Sequence, residues 1–187
     1  MNNFEIIILA LALAFNSWNA YVNAGLLLAK SPLSRRIYYS GITFLMQFVM
    51  AGTGIWAGNK TCSFEMRTNM MISLSLMLLV GLKMLLEGIR SQTQETPSTF
   101  TENKSTFFAA LYEGIIPFII GISIGLLSEH PYLHLLLIGL FLISGIIAGL
   151  VVAFRMGVNA LKLKFNFIGG FLFIAAAIKL ALTITRF

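Results

Sequence analysis

The sequence predicts an all-α membrane protein of six transmembrane helices, arranged as an inverted repeat of two three-helix halves. Three observations lead there. The composition is 58% hydrophobic and only 11% charged, with a mean hydropathy of +0.87, whereas soluble domains carry about 25% charged residues. Apolar runs of roughly 20 residues recur along the chain, the length needed to cross a hydrocarbon core of about 30 Å. None of these runs alternates with a period of two, so a barrel is excluded, and the helix is the remaining structure that satisfies its own backbone in lipid.

Taken in order, the spans are predicted at 5–29, 41–58, 70–90, 107–128, 133–154 and 165–187. The first is read as a retained helix and not a secretory signal: its leader Met1-Asn2-Asn3-Phe4-Glu5 has no Lys or Arg, and the apolar stretch is too long. Connections are short except at 91–106, whose Gln, Thr, Ser, Glu and Pro content reads as a solvated cytoplasmic linker between a first half, 1–90, and a second, 107–187. Lys30, Arg35, Arg36, Arg90, Lys104, Arg155, Lys162 and Lys164 lie near the first, third and fifth connections, against Lys60, Arg67 and Arg186 on the other side. The positive-inside rule then puts both termini on the non-cytoplasmic side. Because each half has an odd number of spans, the second enters the membrane in the opposite sense to the first, as in many secondary transporters. Lys83 and Arg90 recur as Lys179 and Arg186 at one constant offset.

The net charge of +6 is scattered among short loops, which reports membrane orientation and argues against a nucleic-acid partner. Cys62 is the only cysteine, so the chain forms no internal disulfide and no cysteine-based metal site. With no phosphate loop, nucleophile triad or haem motif, neither an enzyme nor a resident cofactor is expected. Its partners are the lipid bilayer and a small cation or small-molecule substrate. The chain has no aspartate; its acidic residues are Glu5, Glu65, Glu87, Glu95, Glu102, Glu113 and Glu129.

Within the spans a few polar residues stand out. Asn16, Asn19 and Asn23 share one face of the first helix, where three amides in hydrocarbon need partners. They read either as interhelical hydrogen bonds or as a polar pathway whose amide oxygens ligate a hard cation. Glu113 lies within the fourth span with Pro117 at i+4; a proline donates nothing to the carbonyl of residue 113, so that position offers both a carboxylate and a freed oxygen. A carboxylate at this depth marks an ion or proton route unless it is protonated and bonded to a neighbouring helix. Gln47 offers an amide from the second span, either to the same cavity or to a neighbouring helix. Lys83 and Glu87 form an i, i+4 ion pair, and Lys179 is expected to snorkel. The GxxxG patterns Gly54/Gly58, Gly121/Gly125 and Gly145/Gly149 read as close helix packing. His130 and His134 straddle a turn with no third metal ligand in the sequence.

These residues also carry a family resemblance. Gly81-Leu82-Lys83-Met84-Leu85-Leu86-Glu87-Gly88 resembles the third-helix signature of the MntP-type manganese efflux pumps, small six-helix members of the LysE transporter superfamily. Gln47, Met50, Gly54 and Gly58 fall on the spacing of that family's second-helix motif, and Ile168-Gly169-Gly170 is similar to the start of its last helix. Leu11-Ala12-Leu13-Ala14-Phe15-Asn16 lies where the family reads Leu-Ala-Leu-Ala-Met-Asp, so Asn16 stands at an acidic position. Ala110-Leu111 and Gly121 match the flanks of a second Asp motif, which places Ile116 at its acidic position, with Glu113 three residues earlier. Asn166 stands where an acidic residue is common in the family.

The resemblance implies a secondary transporter of the bacterial inner membrane, exporting a divalent cation, Mn²⁺ above all. The expected ion path runs past Asn16, Asn19, Gln47 and Glu113, each supplying oxygen, with Glu113 also the candidate proton-linked group. Two alternatives stand beside it: transport of a less charged solute past the neutral Asn stripe, and a transport-inactive membrane partner or regulatory protein.

Overall fold

A computed structural model describes residues 3–27, 33–61, 65–90, 103–156 and 165–184. Its elements are α1 (Asn3–Leu27), α2 (Leu33–Lys60), α3 (Met66–Arg90), α4 (Asn103–Leu127), α5 (Pro131–Met156) and α6 (Phe165–Ile184). Among the described residues five helices are long and apolar enough to cross a membrane, while α1 contributes a shorter apolar run, Glu5–Trp18. The chain is an all-α membrane protein. Several helices run beyond their predicted spans because the backbone stays helical into the interface; α2 begins at Leu33 and takes in Arg35 and Arg36. The linker 91–106 falls outside the described residues except where α4 begins at Asn103.

Contacts between glycines and neighbouring backbones fix the relative directions of the helices. Gly54 meets Phe118 and Gly58 meets Ile122, so α2 and α4 run parallel. Gly145 against Ala14 and Gly149 against Trp18 and Tyr21 make α1 and α5 parallel. Gly81 on Ile174 with Gly88 on Phe167 makes α3 and α6 antiparallel. Gly52 on Leu135 and Gly139 on Phe48 do the same for α2 and α5. These are the directions of consecutive spans that reverse at every connection. The ends of α1, α3 and α5 and the starts of α2, α4 and α6 therefore lie together, at a basic end bordered by Arg35, Arg36, Arg90, Lys104 and Arg155.

The two halves are interwoven. Helix α1 packs mainly on α5 and α6, and α4 packs mainly on α2 and α3, so the first helix of each half is embedded in the other. Exchanging α1 for α4, α2 for α5 and α3 for α6 leaves this pattern of neighbours unchanged. Lipid tails are as apolar as leucine, so helices in a bilayer associate through close packing and polar contacts. The α2–α4 junction uses the first of these: a Cβ on Gly54 would run into the Phe118 carbonyl oxygen, and one on Gly121 into that of Ala51. Leu9, Leu13, Met77, Met84, Ile120, Ile124, Ile138, Leu142 and Phe173 fill the shared core.

Candidate functional site

A polar seam crosses this core where α1, α2 and α4 approach one another. Helix α2 supplies Tyr39, Thr43 and Gln47, spaced four residues apart and therefore on one face, with Ser40 beside them; all four are buried. Helix α1 supplies Asn16, Ser17 and Tyr21, also buried. Ser17 Oγ lies 3.1 Å and Tyr21 Oη 3.4 Å from Gln47 Oε1, joining residues 30 and 26 positions apart.

Ser17 Oγ also lies 3.1 Å from Leu13 O, yet its hydroxyl has one proton for the two acceptors. Turning the Gln47 amide over resolves the conflict, because Ser17 then donates to Leu13 O and accepts from the amide nitrogen. The carboxamide oxygen then takes the place of Nε2, which has no hydrogen-bond partner among the described residues. Asn16 Nδ2 and Ser40 Oγ are likewise buried without a partner. Each such atom costs about 1–3 kcal/mol unless something polar meets it. Three in one seam exceed what helix packing requires.

Glu113 enters from α4 with its side chain partly buried. Lys83 of α3 comes close to this turn of α4, its Nζ 5.2 Å from the centre of the ring of Tyr112, the residue before Glu113. That lysine closes an ion pair with Glu87 of its own helix, with an Nζ–Oε1 distance of 2.9 Å. Pro117, buried one turn later, leaves the carbonyl of Glu113 without its helical amide donor. Among the described residues no three His, Cys, Asp or Glu side chains converge. A cation in the seam would therefore meet one carboxylate together with neutral amide, hydroxyl and carbonyl oxygens, a donor set suited to a hard divalent ion.

Of the residues the sequence singles out, Gln47 is bonded across α1 and α2, Asn16 is buried next to Ser17 on α1, and Glu113 is partly buried on α4. Asn19 and Asn23 lie in α1, but their side chains fall outside the described residues. Ile116 is buried in the apolar core, so the second acidic position of the resemblance supplies no ligand here. Asn166, at the start of α6, has a buried Oδ1 without a partner among the described residues. Lys179 corrects an expectation: it does not simply snorkel but pairs with Glu5 at 3.1 Å, because α6 runs antiparallel to α1 and brings the two together. His134 turns its Nδ1 to Ser128 Oγ at 2.6 Å, tying down the α4–α5 turn. Ser17, Tyr21, Tyr39 and Thr43 were not singled out, although the four-residue spacing of Tyr39, Thr43 and Gln47 was available as a signal.

Comparison with known proteins fits this arrangement. The family described as "Putative manganese efflux pump" matches residues 31–181. The chain belongs to that family. A protein of Methanobrevibacter smithii named "Putative manganese efflux pump MntP" is 29% identical over 178 residues, covering 95% of this chain and 96% of its own. One of the same name from Fusobacterium nucleatum is 25% identical over 186 residues, covering 97% and 100%. No solved structure matches. The family is one of transporters and not of enzymes, which agrees with a site built from polar side chains inside membrane-spanning helices.

Proposed function

We propose that the chain is a secondary transporter that exports Mn²⁺ across a plasma membrane through the seam between α1, α2 and α4. The observation that carries this reading is the buried polar group of Asn16, Ser17, Ser40 and Gln47 within apolar helices, with the Glu113 carboxylate on the neighbouring helix α4. Glu113 supplies the negative charge. Asn16 and Gln47 supply amide oxygens, and the carbonyl freed by Pro117 is a further donor on the same helix turn. Asn19 follows Asn16 by three residues and extends the path along α1.

The halves 1–90 and 107–187 form an inverted repeat in this reading, supported by the exchange symmetry of helix neighbours and the alternating helix directions. Both termini lie outside the cytoplasm, supported by the gathering of Lys and Arg at the basic end. Bacterial cells producing the chain under manganese load should hold several-fold less manganese than cells without it; equal contents would overturn the reading.

A second reading has its own observation: Asn16 and Ile116 stand at positions where the resembled family is acidic, which leaves the seam with less charge for a divalent ion. Efflux of a neutral amino acid or monovalent ion that Mn²⁺ does not compete with would favour it.

A further inference from the structure

Two antiparallel junctions of the molecule have the same plan. On α1 and α6, Phe15 lies against Gly169; ten residues back along α1 is Glu5, and ten residues on along α6 is Lys179. On α3 and α4, Ser73 Oγ donates to Ser123 O at 3.1 Å; ten residues on along α3 is Lys83, and ten residues back along α4 is Glu113. In each case a lysine on the third helix of one half faces a glutamate on the first helix of the other. The two junctions sit at opposite ends of the molecule.

They differ in where the ammonium rests. Lys179 reaches across to Glu5 at 3.1 Å. Lys83 turns to Glu87 of its own helix at 2.9 Å, with its Nζ 5.2 Å from the centre of the Tyr112 ring, the residue beside Glu113. On its own helix Lys179 has no counterpart to Glu87 at this spacing: the residue four beyond it is Thr183, whose hydroxyl donates to the Lys179 carbonyl. Lys83 therefore stands between two carboxylates, one on its own helix and one on the transport path.

We propose that Lys83 is the internal counter-cation of Glu113: its ammonium rests on Glu87 while Glu113 holds the transported cation, and moves to Glu113 when that cation leaves. The inference rests on the reading that Glu113 binds the ion. Its physical basis is that a bare carboxylate in a low-dielectric interior is costly, so an empty carrier needs a replacement positive charge to change conformation. A lysine on a flexible four-carbon stem, already beside α4, supplies one without a second ion. Glu87 is then a parking site, and Tyr112 lines the route between the two carboxylates.

The test is titration of the purified full chain in detergent with Mn²⁺ alone. Removing the competitor in Lys83→Met should tighten Mn²⁺ binding about tenfold, whereas removing the parking site in Glu87→Gln should drive Lys83 onto Glu113 and weaken it about tenfold. Lys83→Met should also slow turnover in vesicles, and Lys83→Arg should restore wild-type behaviour in part. A purely structural ion pair would instead move both variants the same way, and that result, or unchanged affinity in both, overturns the proposal. Should Lys83→Met fail to fold, Glu87→Gln alone decides: weaker binding supports the exchange, and unchanged or tighter binding contradicts it. Absence of Mn²⁺ binding by the wild-type chain would instead overturn the transport reading beneath it.

Discussion

The α1–α6 and α3–α4 junctions use the same parts and reach different outcomes. At the first, Lys179 and Glu5 close an ion pair between the halves. At the second, Lys83 pairs with Glu87 of its own helix, while Glu113 stands on the facing helix α4. One residue, Glu87 against Thr183, separates a junction that latches from one that can exchange partners. An extra carboxylate on a packed helix thus turns a structural contact into a choice, and in the interior of a membrane protein a choice of counter-charge is a means of coupling binding to conformation.

The latched junction should respond most strongly to a reversed charge. Glu5→Lys would set two ammonium groups face to face, removing one pair and adding one repulsion. Loss of about 2 kcal/mol is expected, read as a lower midpoint of thermal unfolding in detergent, with recovery on adding Lys179→Glu. Absence of rescue by the second change would mean that the pair is incidental.

A smaller effect is expected at the next turn of α6. Thr183→Glu gives Lys179 the second carboxylate that Lys83 already has, and an i, i+4 Lys–Glu pair is worth about 0.2–0.5 kcal/mol. The coupling between Glu5 and Lys179 in a double-mutant cycle should fall by a comparable amount. Unchanged coupling would show that the in-helix carboxylate does not compete, and would weaken the same inference for Glu87.

Much of this molecule is legible in its sequence, for reasons that also set the limits. The spans announce themselves because a bilayer demands long apolar runs, but their ends do not, since a helix such as α2 continues past the hydrocarbon into Arg35 and Arg36 without any change of backbone. Asn16, Gln47 and Glu113 stand out because polar residues are rare at that depth. Tyr21 and Ser17 do not: in an apolar helix tyrosine reads as an interfacial anchor and serine as a residue bonded to its own backbone. Their link to Gln47 exists only once α1 and α2 are brought together. Glu5 is missed for a similar reason, as it looks like a solvated terminal residue until the antiparallel course of α6 places Lys179 beside it. The resemblance points to acidic positions on the first and fourth helices, but Ile116 is buried in the apolar core, and the carboxylate of α4 within its apolar span is Glu113, one turn earlier.

Whether Glu113 is the charge that holds the ion is tested most directly by Glu113→Gln. The change keeps the size of the side chain and removes its charge, so the helix packing should survive. In everted membrane vesicles energised by an ion gradient, the wild-type chain should accumulate Mn²⁺ and the Glu113→Gln chain, present at equal level, should lose that accumulation by at least about tenfold. Accumulation at the wild-type rate in the variant would contradict the assignment of Glu113 as the charge that holds the ion.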